Sequence, residues 1–295
     1  MENLISVIIP SYNSVKTIPY TLDGLLNQEG DFCKEIIVVD SSDDPAMKNV
    51  INSYIGKIKF INAGVRVMPA KGRNIGGNAA KGEILAFIDS DAYPASDWLK
   101  AIARAYSEGC FAGGGCVEAP PFQLGTNIAL SQLYLQFNEF LKSGERRKKF
   151  FIPSVNLFCN RELFLTLGGF PEIRASEDTL FGLKLTEQNN LWFDPSITVY
   201  HIFRTDFKPF LQNQKILGEY IIRYRKSYYN KFYYKSIFPI LLLPIFLFIK
   251  VNSMLFRIVK AGKKHFFFFL KSSPLFILGM IYWSIGFLIG SFDRK

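Results

Sequence analysis

The sequence predicts an α/β protein built on a mostly parallel sheet, followed by apolar helices suited to a membrane. Three observations carry this. Through residues 1–205, short apolar runs alternate with stretches of helical periodicity, the pattern of βαβ units whose sheet is covered on both faces. Three of those runs end in clusters of polar or acidic residues. From residue 237 onward, Phe, Leu and Ile dominate the chain.

The elements follow in order. Residues 5–9 form a continuous apolar run closed by Pro10, which reads as a buried strand. Beyond Ser14, a candidate N-cap, the positions Ile18, Leu22, Leu25 and Leu26 fall at helix spacing. Residues 36–39 give the next strand, ending at Asp40. A short helix at 46–54 and a strand at 58–61 come next. Residues 73–80 read as a helix, and 84–88 as a strand running into Asp89-Ser90-Asp91. Residues 138–153 read as a mobile basic loop, with Lys142, Arg146, Arg147, Lys148 and Lys149 around Gly144. Gly168 and Gly169 close a helix. Ser176-Glu177-Asp178 opens another, through about Gln188, and a strand over 192–200 ends at His201.

Composition narrows the class. The chain has 295 residues, a formal net charge of +10, 49% hydrophobic residues and 29 Phe, which is heavy for a soluble enzyme. Basic residues crowd at 146–149, 223–235 and 257–271. Such clusters suit nucleic acid or an anionic membrane, and the apolar stretches beside the last two favour the membrane. The start of the chain carries no secretory signal pattern. Cys33, Cys110, Cys116 and Cys159 lack metal-ligand spacing and read as reduced, structural thiols of a cytosolic domain.

In open parallel sheets, ligands bind beyond the carboxyl ends of the strands. The endings Pro10-Ser11-Tyr12-Asn13, Asp40-Ser41-Ser42-Asp43-Asp44 and Asp89-Ser90-Asp91 therefore converge on one rim. Two carboxylates at a strand end can hold a divalent cation through oxygen, and the cation can neutralise a diphosphate; a solvated acidic turn gives the same pattern. Asp40 can accept hydrogen bonds from a base or ribose, or simply close its own turn. Arg73 and Asn74 stand at a predicted helix start, where backbone N–H groups face an anion. Glu177 and Asp178 stand at another, where the helix dipole keeps a carboxylate ionised and where capping alone also explains them. His201 reads as a metal ligand or a structural histidine.

As an ordered set, Ser6-Val-Ile-Ile-Pro-Ser-Tyr-Asn13, Glu35-Ile-Ile-Val-Val-Asp40, Lys71-Gly-Arg-Asn-Ile-Gly76, Phe87-Ile-Asp-Ser-Asp91, Gly168-Gly-Phe-Pro-Glu172, Glu177-Asp178 and His201 resemble the family 2 glycosyltransferases over residues 4–204. The resemblance implies a GT-A fold, an inverting mechanism and a nucleotide-diphosphate sugar bound with Mg²⁺ or Mn²⁺. It implies that Pro10, Tyr12 and Asp40 line the base and ribose pocket, that Arg73 contacts the base or diphosphate, and that Asp89 lies near the ribose. It further implies Asp91 and His201 at the metal, and Asp178 as general base with Glu177 the less favoured candidate. Two features depart from the family pattern. The loop after Asp40 lacks the glycine often found there, and Gln212-Asn-Gln-Lys-Ile stands where processive synthases carry Gln-x-x-Arg-Trp, which favours transfer of a single sugar.

The domain expectation is a catalytic stretch at 1–205, an amphipathic interfacial helix at 206–235 and a membrane region at 236–295. Residues 218–235 mix tyrosines with Arg223, Arg225, Lys226, Lys231 and Lys235, as suits a headgroup zone. Residues 236–249 are uncharged but short for a span, and contain Pro239 and Pro244. Residues 272–292 are uncharged and long enough to cross. Basic residues 257–271 belong on the cytoplasmic side. The first stretch is then re-entrant or interfacial while the second spans; two spans with 236–256 as a kinked helix is the alternative. The expected location is the cell membrane, catalytic part facing the cytoplasm, with a polyprenyl-phosphate or lipid-linked glycan as acceptor. A nucleotidyltransferase or a non-catalytic nucleotide-binding scaffold are the rival readings. An oxidoreductase is excluded by the absence of G-x-G-x-x-G after the first strand.

Overall fold

The computed structural model describes residues 4–30, 33–188, 191–229 and 238–292, without the side chains of 227–229 and 238. Lys231, Tyr233, Tyr234, Lys235 and Ser236, expected in the headgroup zone or at the first apolar stretch, lie outside the described residues. In chain order the strands are β1 (Ile5–Ser11), β2 (Lys34–Asp40), β3 (Lys59–Asn62), β4 (Ile84–Phe87), β5 (Ala92–Pro94), β6 (Ala112–Glu118), β7 (Arg147–Lys148), β8 (Leu157–Asn160) and β9 (Trp192–His201). The helices are α1 (Ile18–Leu26), α2 (Ala46–Asn52), α3 (Pro69–Ala79), α4 (Trp98–Ser107), α5 (Asn127–Phe137), α6 (Arg161–Thr166), α7 (Glu177–Gln188) and α8 (Phe207–Tyr229). The last three are α9 (Phe238–Leu241), α10 (Leu243–Lys260) and α11 (Lys263–Phe292).

Two compact units result: residues 1–118 with 144–202, and residues 119–143 with 203–295. The first holds the sheet, in the order β3-β2-β1-β4-β8-β6-β9-β5, with β7 pairing β9. β3, β2, β1 and β4 are mutually parallel; β8 runs antiparallel to β4 and β6, so the sheet is mixed. Parallel pairing aligns Ser11 with Asp40, and Asp40 with Asn62. Ile88 N–H bonds the Ile8 carbonyl at 3.2 Å, which carries the rim on to Asp89. Apolar runs in β1, β2 and β4 are buried on both faces, which is why they read as continuous rather than alternating.

α3 packs on β1 and β2 through glycine. A Cβ at Gly76 would lie 2.5 Å from Ile8 Cγ2 and 3.3 Å from Val39 Cγ2, and one at Gly72 would lie 3.1 Å from Pro10 Cβ. The helix begins at Pro69, so Arg73 and Asn74 sit within it, and the anion site expected at a helix start does not arise at Arg73. Ser14 is not the N-cap of α1 either. Thr17 holds that place, and the Ser14 hydroxyl pairs with Ser11 Oγ at 2.7 Å.

Residues 138–153 are not a free basic loop. Arg147 and Lys148 pair with Phe193 and Trp192 of β9. Arg146 bonds Asp194 at 2.7 and 2.9 Å and Glu108 at 2.5 Å. Deeper in the sheet, buried Asn156 accepts the Trp98 indole N–H at 2.9 Å. It donates to the Cys116 and Ile197 carbonyls, satisfying backbone where β6 and β9 shift register. Cys33 is exposed and Cys110, Cys116 and Cys159 are buried, all as free thiols.

The second unit is helical, with a core that includes Leu130, Tyr134, Phe210, Ile258 and Phe276. α10 carries Pro244 in its first turn, where a missing N–H costs nothing. Residues 257–271 form the end of α10 and the start of α11, joined at Ala261 and Gly262. Among the described residues, α11 is the one helix long and apolar enough to cross a membrane by length and composition.

The close approach of α3 to β1 predicts that Gly76→Ala overpacks the sheet. A loss of about 1–3 kcal/mol, read by urea unfolding, is expected.

Candidate active site

The carboxyl ends of β1, β2 and β4 gather three groups of side chains. The first lies over β1 and β2. Asp40 is buried, and its carboxylate accepts from Ser42 Oγ at 2.7 Å and Ser42 N–H at 3.2 Å. Asn13, with φ of 52°, donates its N–H to Ser42 Oγ at 2.7 Å. Tyr12 donates to Asp43 at 3.3 Å, and the Arg66 guanidinium lies 4.4 Å from the Tyr12 ring centre. Pro10 is half-buried beside Gly72. Asp40 therefore does close its own turn. Each of its oxygens keeps further lone-pair capacity for a ligand hydroxyl.

Arg73 is the centre of the second group. Its side chain is 3% exposed, Nη2 donates to Asp89 Oδ1 at 2.6 Å, and Nη1 donates to Glu177 Oε1 at 2.9 Å. The Phe170 ring lies 5.5 Å from its guanidinium carbon. The guanidinium is enclosed, with both Nη atoms bonded to protein carboxylates, and it joins α3, the loop after β4, and the start of α7.

Asn74, one residue on, clamps the approach to α7. Its amide donates to the Phe170 carbonyl and accepts from the Phe170 N–H, each at 2.8 Å. Gly169 has φ of 68° and packs on that amide; a Cβ there would lie 2.5 Å from Asn74 Oδ1. Ser176 also lies in the left-handed region, with φ of 70°, immediately before Glu177. Backbone strain of this kind persists only where surrounding contacts over-determine it.

Glu177 and Asp178 occupy the first turn of α7. The dipole expectation fails for Asp178. Desolvation, followed by the neighbouring Glu177 charge, pushes its carboxyl up to about 7, against the lowering pull of the Thr179 N–H at 2.7 Å and of Arg73.

The third group is a pair. Backbone pairing sets Ala92 opposite His201, and Ile202 N–H bonds the Asp91 carbonyl at 2.7 Å. This brings His201 Nε2 to 3.6 Å from Asp91 Oδ1. Among the described residues no cluster of three or more His, Cys, Asp or Glu is poised to hold a metal. One carboxylate and one imidazole nonetheless fit a cation whose remaining ligands are substrate phosphate oxygens and water.

The sequence motifs contain every carboxylate here and also Ser42 and Phe170, but not Arg66, whose contact with Tyr12 joins residues far apart in the chain and has no local signature.

The family model for glycosyl transferase family 2 matches residues 6–167, more than half of the chain, and the chain belongs to that family. It is 26% identical over 172 residues to glycosyltransferase AglE of Haloferax volcanii, covering 57% of this chain and 56% of that one. It is 35% identical over 112 residues to the poly(ribitol-phosphate) beta-N-acetylglucosaminyltransferase TarS of Staphylococcus aureus, covering 35% of this chain and 19% of that one. The chain thus spans about half or less of these curated relatives. The mannosyltransferase PcManGT from Pyrobaculum calidifontis, solved in complex with GDP-Man and Mn²⁺, superposes with a TM-score of 0.66 at 17% identity. That match covers 100% of this chain and 89% of that one. The shared fold is GT-A.

Removing the central cation strands the carboxylates around it. Arg73→Met is expected to lower stability by about 3–5 kcal/mol at neutral pH. The loss is read by denaturant titration.

Proposed function

We propose that this family member is an inverting glycosyltransferase. It moves one sugar from a nucleoside-diphosphate donor to a hydroxyl or phosphate of a membrane-resident acceptor, a polyprenyl-phosphate or a lipid-linked glycan, at the cytoplasmic face. The observation that carries the reading is Asp178. A carboxyl titrating near 7, beside a buried Arg73 hub and on the same rim as Asp40 and Asp91, is matched to general-base work at neutral pH.

The donor lies across the rim. Tyr12 and Pro10 flank the base, and Asp40 accepts from ribose hydroxyls. Asp89, held by Arg73, stands near the ribose at a fixed angle. Asp91 and His201 would hold Mg²⁺ or Mn²⁺, which when bound neutralises charge on the departing diphosphate. Asp178 takes the proton from the acceptor hydroxyl as its oxygen bonds to the sugar C1. The bond from C1 to the diphosphate breaks on the opposite face, so configuration inverts and the nucleoside diphosphate leaves. Arg73 keeps Glu177 engaged, which leaves Asp178 as the base. The relatives' printed activities are glycosyl transfers, and the apolar helices of the second unit support an acceptor held in a membrane.

Purified protein in nanodiscs, given Mn²⁺ or Mg²⁺ and a panel of nucleotide sugars, should release nucleoside diphosphate from one donor in a lipid-extract-dependent way. Failure to bind any donor would remove the reading. Asp178→Asn should cut transfer by about 10²–10⁴-fold with donor binding kept. Wild-type transfer should rise with pH through about 7, as the base loses its proton. The same shift acts on stability. The folded protein retains the Asp178 proton between the ordinary aspartate value of 3.8 and about 7, whereas the unfolded chain has released it. Stability is therefore lost as pH rises through that window, and above it Asp178→Asn should be the more stable protein by thermal melting.

A further inference from the structure

Length and composition allow α11 to cross a membrane; its partners within the helical unit argue otherwise. One face of α11 is committed to α8. Cβ atoms at Gly286 and Gly290 would collide with the backbone of Lys215 and Glu219, and one at Gly218 would collide with Trp283. The contacts advance together, Phe210 beside Gly279, Gly218 beside Trp283, Glu219 beside Gly290, so the two helices run parallel at the same level. Lys226 completes the register: its Nζ donates to the Gly290 carbonyl at 3.0 Å and the Ser291 carbonyl at 2.7 Å.

α8 is not a membrane helix. Over this length it carries Lys215, Glu219, Arg223, Arg225 and Lys226, with Arg223 paired to Glu219 at 2.7 Å. Were α11 to span, α8 would descend beside it and take these charges into hydrocarbon. Each costs about 2.5–3.5 kcal/mol at the centre of a bilayer.

The opposite face of α11 is apolar and open. Ile277, Ile281, Ile285 and Ile289 are 60, 51, 40 and 40% exposed, one helical turn apart. Ahead of this stripe, Lys260, Lys263, Lys264 and Lys271 are exposed. Across the turn, α10 exposes Ile245, Phe248, Ile249 and Phe256. A helix apolar on its covered and its open side, with lysines at one end, suits the boundary between headgroups and acyl chains.

We propose that the helical unit binds an anionic phospholipid surface from one side: α11 lies in the membrane plane, its isoleucine stripe in the acyl boundary and its lysines among the headgroups, and does not cross. The inference rests on the membrane attachment proposed above and decides its manner. Membranes from cells expressing the full chain, prepared as sealed inside-out vesicles, test it with a membrane-impermeant maleimide. Cys33 reports the side of the sheet unit, and a Lys295→Cys variant in a Cys33→Ser background reports the side of the chain end. Labelling of both from the same side, with release of the protein by alkaline carbonate, is expected. Labelling of the chain end only from the other side overturns the proposal but leaves membrane attachment standing; recovery of all the protein in the soluble fraction overturns both. Ile281→Asp with Ile285→Asp should weaken sedimentation with phosphatidylglycerol-containing vesicles about tenfold or more. Their exposure predicts an unchanged urea midpoint. Vesicle binding that stays at the wild-type level would also overturn the proposal.

Discussion

The buried guanidinium of Arg73 is the constraint on which the rim depends. A cation with almost no contact with water is tolerable only if its charge is met, and Asp89 and Glu177 meet it from two other elements. Three segments far apart in the chain are thereby tied at one point: α3, the loop after β4, and the first turn of α7. The glycine packing of α3 makes this possible. Without a side chain at Gly76, the helix settles close enough to β1 for Arg73 to reach the ends of the strands. Asn74 then fixes the approach to α7 through both polar groups of Phe170.

That arrangement sorts two adjacent carboxylates into different roles. Glu177 spends its charge on Arg73, while Asp178 is left desolvated beside a like charge. The helix dipole and the Thr179 N–H act in the other direction and lose. The consequence is a group that can exchange a proton near neutrality, at the cost of native stability once it ionises. Asp91 and His201 are brought together by a different device, the antiparallel pairing of β5 with β9. The proposed base and the proposed cation ligands thus have separate structural supports.

The helical unit obeys a different rule. Its helices approach through glycine at Gly218, Gly286 and Gly290, close packing of the kind that serves helices in lipid as well as in water. Hydropathy alone cannot separate a spanning helix from one lying flat, because both are apolar. The neighbour decides, and here the neighbour is charged.

Sequence by itself determined the strands of the parallel half, the rim on which they end and the identity of its carboxylates. Apolar runs closed by Pro10, Asp40 and Asp89 are local signals, and both strand burial and turn chemistry act over a few residues. It also determined the family, through the order of those motifs. Only the tertiary structure decided that Arg73 is a buried hub between Asp89 and Glu177, that desolvation pushes the Asp178 carboxyl up to about 7, and that residues 146–148 are anchored to Asp194 and β9. It likewise decided which charged helix accompanies α11. The reason is physical: burial, charge balance and depth in a membrane are set by what lies beside a residue, and those neighbours come from distant parts of the chain.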